Sequence, residues 1–144
     1  MIMQIDRAQP GDLNDLIRLL EQNQLPIDGL HHHLGTALVA RQNGQLVGSA
    51  ALEMYPDGAL LRSVAVAPEL HGRGLGHDLT DAAIRLAREF HAPAVYLLTT
   101  TAEHFFPKFG FERIGRSDVP ASVQTSIEFT SACPSSATVM RRTL

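Results

Sequence analysis

Hydrophobic positions near the start of the chain recur with a period of two. Met1 to Ala8 alternates apolar and polar side chains, which predicts a first strand. Pro10-Gly11-Asp12 breaks the alternation and caps a helix. Leu13, Leu16, Ile17 and Leu20 form its apolar stripe, and Leu25-Pro26 ends it. Asp28 to Leu34 reads as a short second helix. Thr36 to Arg41 and Gln45 to Met54 read as strands joined by Asn43-Gly44, the dipeptide favoured where both turn residues take positive φ. Pro56-Asp57-Gly58 turns the chain again into a third strand, Ala59 to Val66, which Pro68 stops.

From Gly74 the period lengthens to that of a helix. Leu75, Leu79, Ala82, Ala83, Leu86 and Phe90 share one face of a segment that runs to about Phe90. Ala94 to Thr99 is continuously apolar, as a strand buried on both faces requires. Thr101 to Phe109 reads as a short helix ended by Gly110, Phe111 to Ile114 as a strand, and Thr138 to Arg142 as a last strand. Ser117 to Ser136 has no clear period. Antiparallel hairpins followed by strand–loop–helix–strand predict an α/β domain with a mixed sheet and helices on both faces.

Length and composition narrow the classes. The 144 residues suit a single domain over 1–144, long enough to bury a core. Apolar residues make up 44% and charged residues 19%, which excludes a disordered chain or a coiled coil. A net charge of −3 with dispersed cations argues against nucleic-acid binding. The single cysteine, Cys133, excludes an internal disulfide framework and a multi-cysteine metal site. No run approaches the length of a membrane helix, and the N-terminus lacks the features of a signal peptide. The expected setting is the cytoplasm, with no membrane and no metal.

The sharpest motif is His71-Gly72-Arg73-Gly74-Leu75-Gly76, between a strand and a helix N-terminus. Unpaired amides and the helix dipole favour an anion there, and glycines let the main chain approach a phosphate. Arg73 adds a cation. The dinucleotide fingerprint fails because its third glycine position is His77. The P-loop fails because His77-Asp78 supplies neither lysine nor hydroxyl. A phosphate or pyrophosphate cradle remains, against a glycine turn without a ligand.

Val64-Ala65-Val66-Ala67-Pro68 followed by this loop resembles the acetyl-CoA signature of the GNAT N-acetyltransferase superfamily, with His71 where the family has Gln or Arg. The resemblance implies a GNAT fold, with a V-shaped splay in a mostly antiparallel sheet. It also implies acetyl-CoA as co-substrate: the pyrophosphate on the amides of His71 to Gly76 and the pantetheine arm along the main chain of Val64, Ala65 and Val66. Downstream, Leu97-Leu98-Thr99-Thr100-Thr101-Ala102, Phe105-Phe106, Gly110-Phe111 and Cys133-Pro134-Ser135-Ser136-Ala137 resemble the branch known as arsenic-resistance N-acetyltransferases. More distantly they resemble the acetyltransferase domain of N-acetylglutamate synthase, whose C-terminal Arg-x-Ser-Lys-type segment is replaced here by Cys133 to Ser136. The implied reaction is acetyl transfer to a small amino-acid-like amine, by direct attack in a ternary complex. A homodimer is compatible with the family. A non-catalytic CoA sensor and a protein or peptide N-acetyltransferase are the rival readings.

The resemblance also locates candidate chemistry. The family's usual acid is a tyrosine four residues before the Gly-Phe glycine, and here that position is Phe106, expected beside the thioester. The departing thiolate then leaves unaided or with help from local amides or from Thr99, Thr100 or Thr101, the first two also expected to contact substrate. Glu53, at a strand end, is the leading base, or else a solvated carboxylate. Arg62 interrupts an apolar strand and suits a substrate carboxylate, or else reaches to the surface. Cys133 is open to three readings: nucleophile, soft ligand to a trivalent arsenical, or buried structural thiol. His31-His32-His33 reads as a solvated helix end, or as a substrate contact from one of the three.

Overall fold

A computed structural model describes residues 4–144. Its strands are β1 (Gln4–Arg7), β2 (Ala37–Gln42), β3 (Gln45–Tyr55), β4 (Gly58–Val66), β5 (Ala94–Thr99), β6 (Glu112–Ile114) and β7 (Thr138–Thr143). The helices are α1 (Leu13–Gln22), α2 (Leu75–Glu89) and the one-turn α3 (Ala121–Gln124). Met1 to Met3 of the expected first strand lie outside the described residues. The seven strands form one sheet in the order β1-β2-β3-β4-β5-β7-β6. Every neighbouring pair is antiparallel except β4 and β5, which run parallel. Among the described residues, no helix is long and apolar enough to cross a membrane.

The turn chemistry sets the register. Asn43 and Gly44 take φ of +53° and +79°, so β2 and β3 close on two residues as the dipeptide demands. Pro56-Asp57 closes β3 on β4 with Tyr55 opposite Gly58, which puts Glu53 opposite Leu60 and Ala51 opposite Arg62. The pairing then slips: Ser49 meets Ala65, so Ser63 and Val64 together face Ala50. This is a β-bulge, and Ser63 sits in it at φ +58°. The Ser49 hydroxyl donates to the Ser63 carbonyl at 2.7 Å and pins it.

The main core joins α1 through Leu16, Leu19 and Leu20 to α2 through Leu79, Ala83 and Leu86, with Leu52, Leu61, Val95 and Leu97 from the sheet. A smaller cluster holds Leu60, Ala94, Tyr96 and Val139 against Val119 and Val123. Leu60 and Leu61 alternate across β4, so Leu60 of the smaller cluster and Leu61 of the main core lie on opposite faces of the sheet. Several expectations are corrected. Phe90, expected on the α2 stripe, lies just past the helix, 46% exposed, with the Arg7 guanidinium 5.5 Å from its ring. Thr101 to Phe109 is helical only as a 3₁₀ turn at Phe106–Phe109, because Pro107 removes a backbone donor. The short second helix expected over Asp28 to Leu34 is present as a 3₁₀ stretch, Leu30–Thr36, which holds His31 to His33.

Candidate active site

The parallel pairing of β4 with β5 stops at Leu61 opposite Leu97. The bulge at Ser63 and Val64 turns β4 away just beyond that point, and the strands part. A cavity of about 880 Å³ opens between them. Its walls are Arg62 to Val66 from β4, Leu98 to Ala102 from the end of β5 and the turn beyond it, Phe105 and Phe106, and residues from two flanking segments, 23–28 and 128–137. At one end lie His71 and Gly76 of the glycine loop.

That loop has the form of an anion cradle. Gly72 and Gly74 take φ of +80° and +84°, and a Cβ at either would meet nothing within 4 Å. The left-handed backbone explains the glycines, and the open space leaves room for a large anion. Gly74 is the N-cap of α2, and its carbonyl takes the amide of Asp78 at 3.1 Å. The amides of Leu75, Gly76 and His77 precede that bond and point out of the helix start. Leu75 itself is buried in the core, so only its main chain serves the loop. His71 Nε2 lies 2.7 Å from the Val66 carbonyl, which also accepts from Asn23 Nδ2 at 3.1 Å. These residues fit a pyrophosphate. Arg73 is exposed and outside the cavity walls, within the same turn.

Arg62 is the hub of the opposite end. Its side chain has no exposure, and its guanidinium is already occupied. Nη1 donates to the Asp28 carbonyl at 2.6 Å and to Glu53 Oε2 at 2.9 Å, Nη2 to the Pro26 carbonyl at 3.1 Å, and Nε to Ser63 Oγ at 3.2 Å. A second carboxylate, Glu128 Oε2, lies 3.5 Å from Nε. No two-pronged fork is left for a substrate carboxylate, which corrects the expectation for Arg62. It instead ties segment 23–28 and two carboxylates to β4.

Glu53 differs from its expectation in the same way. It is fully buried and is not among the cavity walls. Burial pushes its carboxyl up, but hydrogen bonds with Ser126, Tyr55 and Arg62 together outweigh burial and hold it below the usual carboxylate range. Tyr55 donates to Oε1. His33 Nε2 lies 3.8 Å from Oε2, and burial lowers that imidazole's pKa. A carboxylate held below its usual range and away from the cavity walls is badly placed to take a proton from a bound acceptor.

Thr99 and Thr100 line the cavity, and Thr99 Oγ1 accepts the amide of Ala102 at 2.9 Å. Phe106 also lines it, buried and edge-on to Phe105 at 5.0 Å between ring centroids. The residue that sequence reasoning missed is Glu128. It lies in the segment with no period, on a single π turn, Glu128–Ala132, closed by the Cys133 amide on the Glu128 carbonyl at 3.1 Å. Burial pushes the Glu128 carboxyl up to about 7, with Glu53 and Asp28 adding to the rise while Arg62 and Cys133 oppose it. Burial, then the charge and hydrogen bond of Glu128, push the Cys133 thiol up to about 12. A thiol so strongly held in its protonated form is not an activated nucleophile.

Comparison with known proteins fits this geometry. The family model described as Acetyltransferase (GNAT) family matches residues 3–111. An amino-acid acetyltransferase of Mycobacterium tuberculosis is 37% identical over 81 residues, 56% of this chain and 46% of its own length. One from Azotobacter vinelandii is 29% identical over 120 residues, 78% of this chain and 27% of its own. The chain thus spans less than half the length of these curated relatives. Among solved structures, Rv2747 from Mycobacterium tuberculosis, in complex with CoA and NLQ, superposes with a TM-score of 0.83 at 25% identity, covering 98% of this chain and 99% of that one. N-acetylglutamate synthase from Neisseria gonorrhoeae, complexed with coenzyme A and N-acetyl-glutamate, gives 0.83 at 22% identity, covering 100% of this chain and 35% of that one.

Proposed function

The chain belongs to the acetyltransferase (GNAT) family, and from that premise we propose that it transfers acetyl from acetyl-CoA to the primary amine of a small, amino-acid-like acceptor. The observation that carries the reading is one continuous cavity, running from the glycine loop through the opened β4–β5 seam to a polar wall at Glu128 and Cys133. The pyrophosphate rests on the start of α2, with Arg73 adding charge from the same turn. The pantetheine arm follows the main chain of Val64 to Val66, and the thioester sits near Phe106 and Thr99 to Thr101. Phe106 carries no hydroxyl, so the departing sulfur is supported by the threonines or by main-chain amides.

Two features support a small acceptor over a peptide. Residues of segment 128–137 wall one side of the cavity, and the stretch leading into them is tied to the β3–β4 turn by Ser122 Oγ, which donates to Asp57 at 2.8 Å. The curated relatives are amino-acid acetyltransferases, and one structural neighbour was solved with N-acetyl-glutamate. Glutamate itself is disfavoured, because Arg62 is committed and, among the described residues, no other arginine and no lysine lines the cavity. The likeness to the arsenic-resistance branch makes arsenic-bearing amino-acid analogues part of the same acceptor class.

The test is a screen of amino acids and analogues with acetyl-CoA, following thiol release and the acetylated amine by mass spectrometry. Amine-dependent release with a matching N-acetyl product supports the reading. Tight CoA binding without turnover on any amine would favour a sensor.

A further inference from the structure

We propose that Glu128 accepts the proton that the acceptor's ammonium must lose before attack, and that Cys133 positions its carboxylate. The inference rests on the transfer reaction proposed above and assigns its base, which Glu53 cannot supply from behind the cavity wall.

Among the described residues, the candidates that line the cavity are few. Asp28 is exposed, and its main chain, not its carboxylate, is what Arg62 holds. His104 has a side chain 95% exposed, and the exposed His71 is engaged with the Val66 carbonyl. Glu128 alone is a buried carboxylate facing the cavity.

Its surroundings suit the task. Glu53 and Glu128 share one guanidinium unequally, at 2.9 Å and 3.5 Å, on different nitrogens. The nearer carboxylate is fixed as an anion, and the farther one is left close to neutral-pH titration. Two carboxylates driven apart in this way is the pattern that separates a structural charge from a working acid or base. The groups that face Glu128 are Arg62 from β4, Glu53 from β3, Asp28 from segment 23–28 and Cys133 from its own turn. The π turn brings Cys133 back beside Glu128, its amide donating to the Glu128 carbonyl at 3.1 Å and its thiol among the groups that oppose the rise of the carboxyl pKa. The Glu128 amide donates to Ser126 Oγ at 3.1 Å, which fixes the start of the turn.

The proton balance is simple. One ammonium proton passes to a carboxylate oxygen of Glu128. The amine lone pair then forms the N–C bond to the acetyl carbon as the C–S bond breaks. The surplus proton on nitrogen leaves with the sulfur as thiol, and Glu128 returns its proton to solvent. Cys133 keeps its own proton throughout.

The test is the pH dependence of kcat/KM for the best acceptor, in wild type, Glu128→Gln and Cys133→Ala, with CoA affinity measured alongside. Wild type should show an acid limb near neutrality. Glu128→Gln should lose that limb and about 10²–10⁴ of the rate while still binding CoA. Cys133→Ala should stay active with its acid limb moved to higher pH, because the thiol's hydrogen bond favours the ionised carboxylate. A purely structural role would lower all rates uniformly without moving the limb, and that result overturns the proposal. So does a Glu128→Gln enzyme with wild-type rate and limb, which leaves the transfer reaction standing. A wild type silent on every amine overturns the reaction and this inference together.

Discussion

Replacing Arg62 with methionine keeps most of the side-chain bulk and removes the charge that holds the polar wall together. The Arg62–Glu53 pair is 2.9 Å long with neither side chain exposed, so Glu53 would be left buried without its counter-ion. Removing one partner of such a pair costs about 3–5 kcal/mol, several times an exposed pair. For a chain near this size each kcal/mol moves Tm by roughly 3 °C, so the variant should melt about 10 °C lower. The pH dependence carries a second signature. In the wild type the lowered Glu53 pKa contributes stability above the unfolded carboxylate value, and that stability is lost as pH falls through the folded value. Without Arg62, burial dominates and raises the folded pKa, so the protonated form is preferred in the native state. The Tm gap between variant and wild type should therefore narrow on acidification from about pH 8 to about pH 5. Thermal unfolding by circular dichroism across that range measures both effects. A drop below about 3 °C, or a gap constant with pH, would refute the hub role assigned to Arg62.

Three further outcomes follow from single positions. Gly74→Ala places a Cβ in open space at φ +84°, so its stability cost should stay near 1–2 kcal/mol, about that of the left-handed backbone, while CoA affinity by calorimetry falls much further. Unchanged affinity would remove the loop as the pyrophosphate cradle. Gly48→Ala brings a Cβ to 2.8 Å from Leu79 Cδ1 and should cost about 1–3 kcal/mol in denaturant unfolding with CoA affinity retained. Cys133, with its thiol pushed up to about 12, should alkylate slowly with iodoacetamide at neutral pH; labelling at the rate of a free thiol would contradict the Glu128–Cys133 contact.

The glycine turn and the hairpins were open to sequence reasoning because their signals are local. Three glycines between a strand and an amphipathic helix set the open turn before α2, and Asn43-Gly44 and Pro56-Asp57-Gly58 set the hairpins. The acceptor half depends on contacts between distant positions. Glu53 beside a turn read as the base or else a solvated carboxylate, and Arg62 as available for a substrate carboxylate. Yet the two-residue turn at Pro56-Asp57 already places Ala51 opposite Arg62, and so puts Glu53 and Arg62 on one face as diagonal neighbours. Counting back from that turn would have found the pair. Glu128 offered less: one acid between Ile127 and Phe129 in a stretch without period, whose burial comes from the π turn and from packing against β4. A charged residue flanked by two large apolar ones was the only hint.

The measurement that bears most directly on the transfer account is a two-substrate initial-rate study, varying acetyl-CoA and the best amine together. Direct attack inside the opened seam predicts amine-dependent thiol release, a stoichiometric N-acetyl product and intersecting double-reciprocal lines. Parallel lines would place an acyl group on the protein between the half-reactions, and thiol release without acetylated amine would deny the transfer altogether.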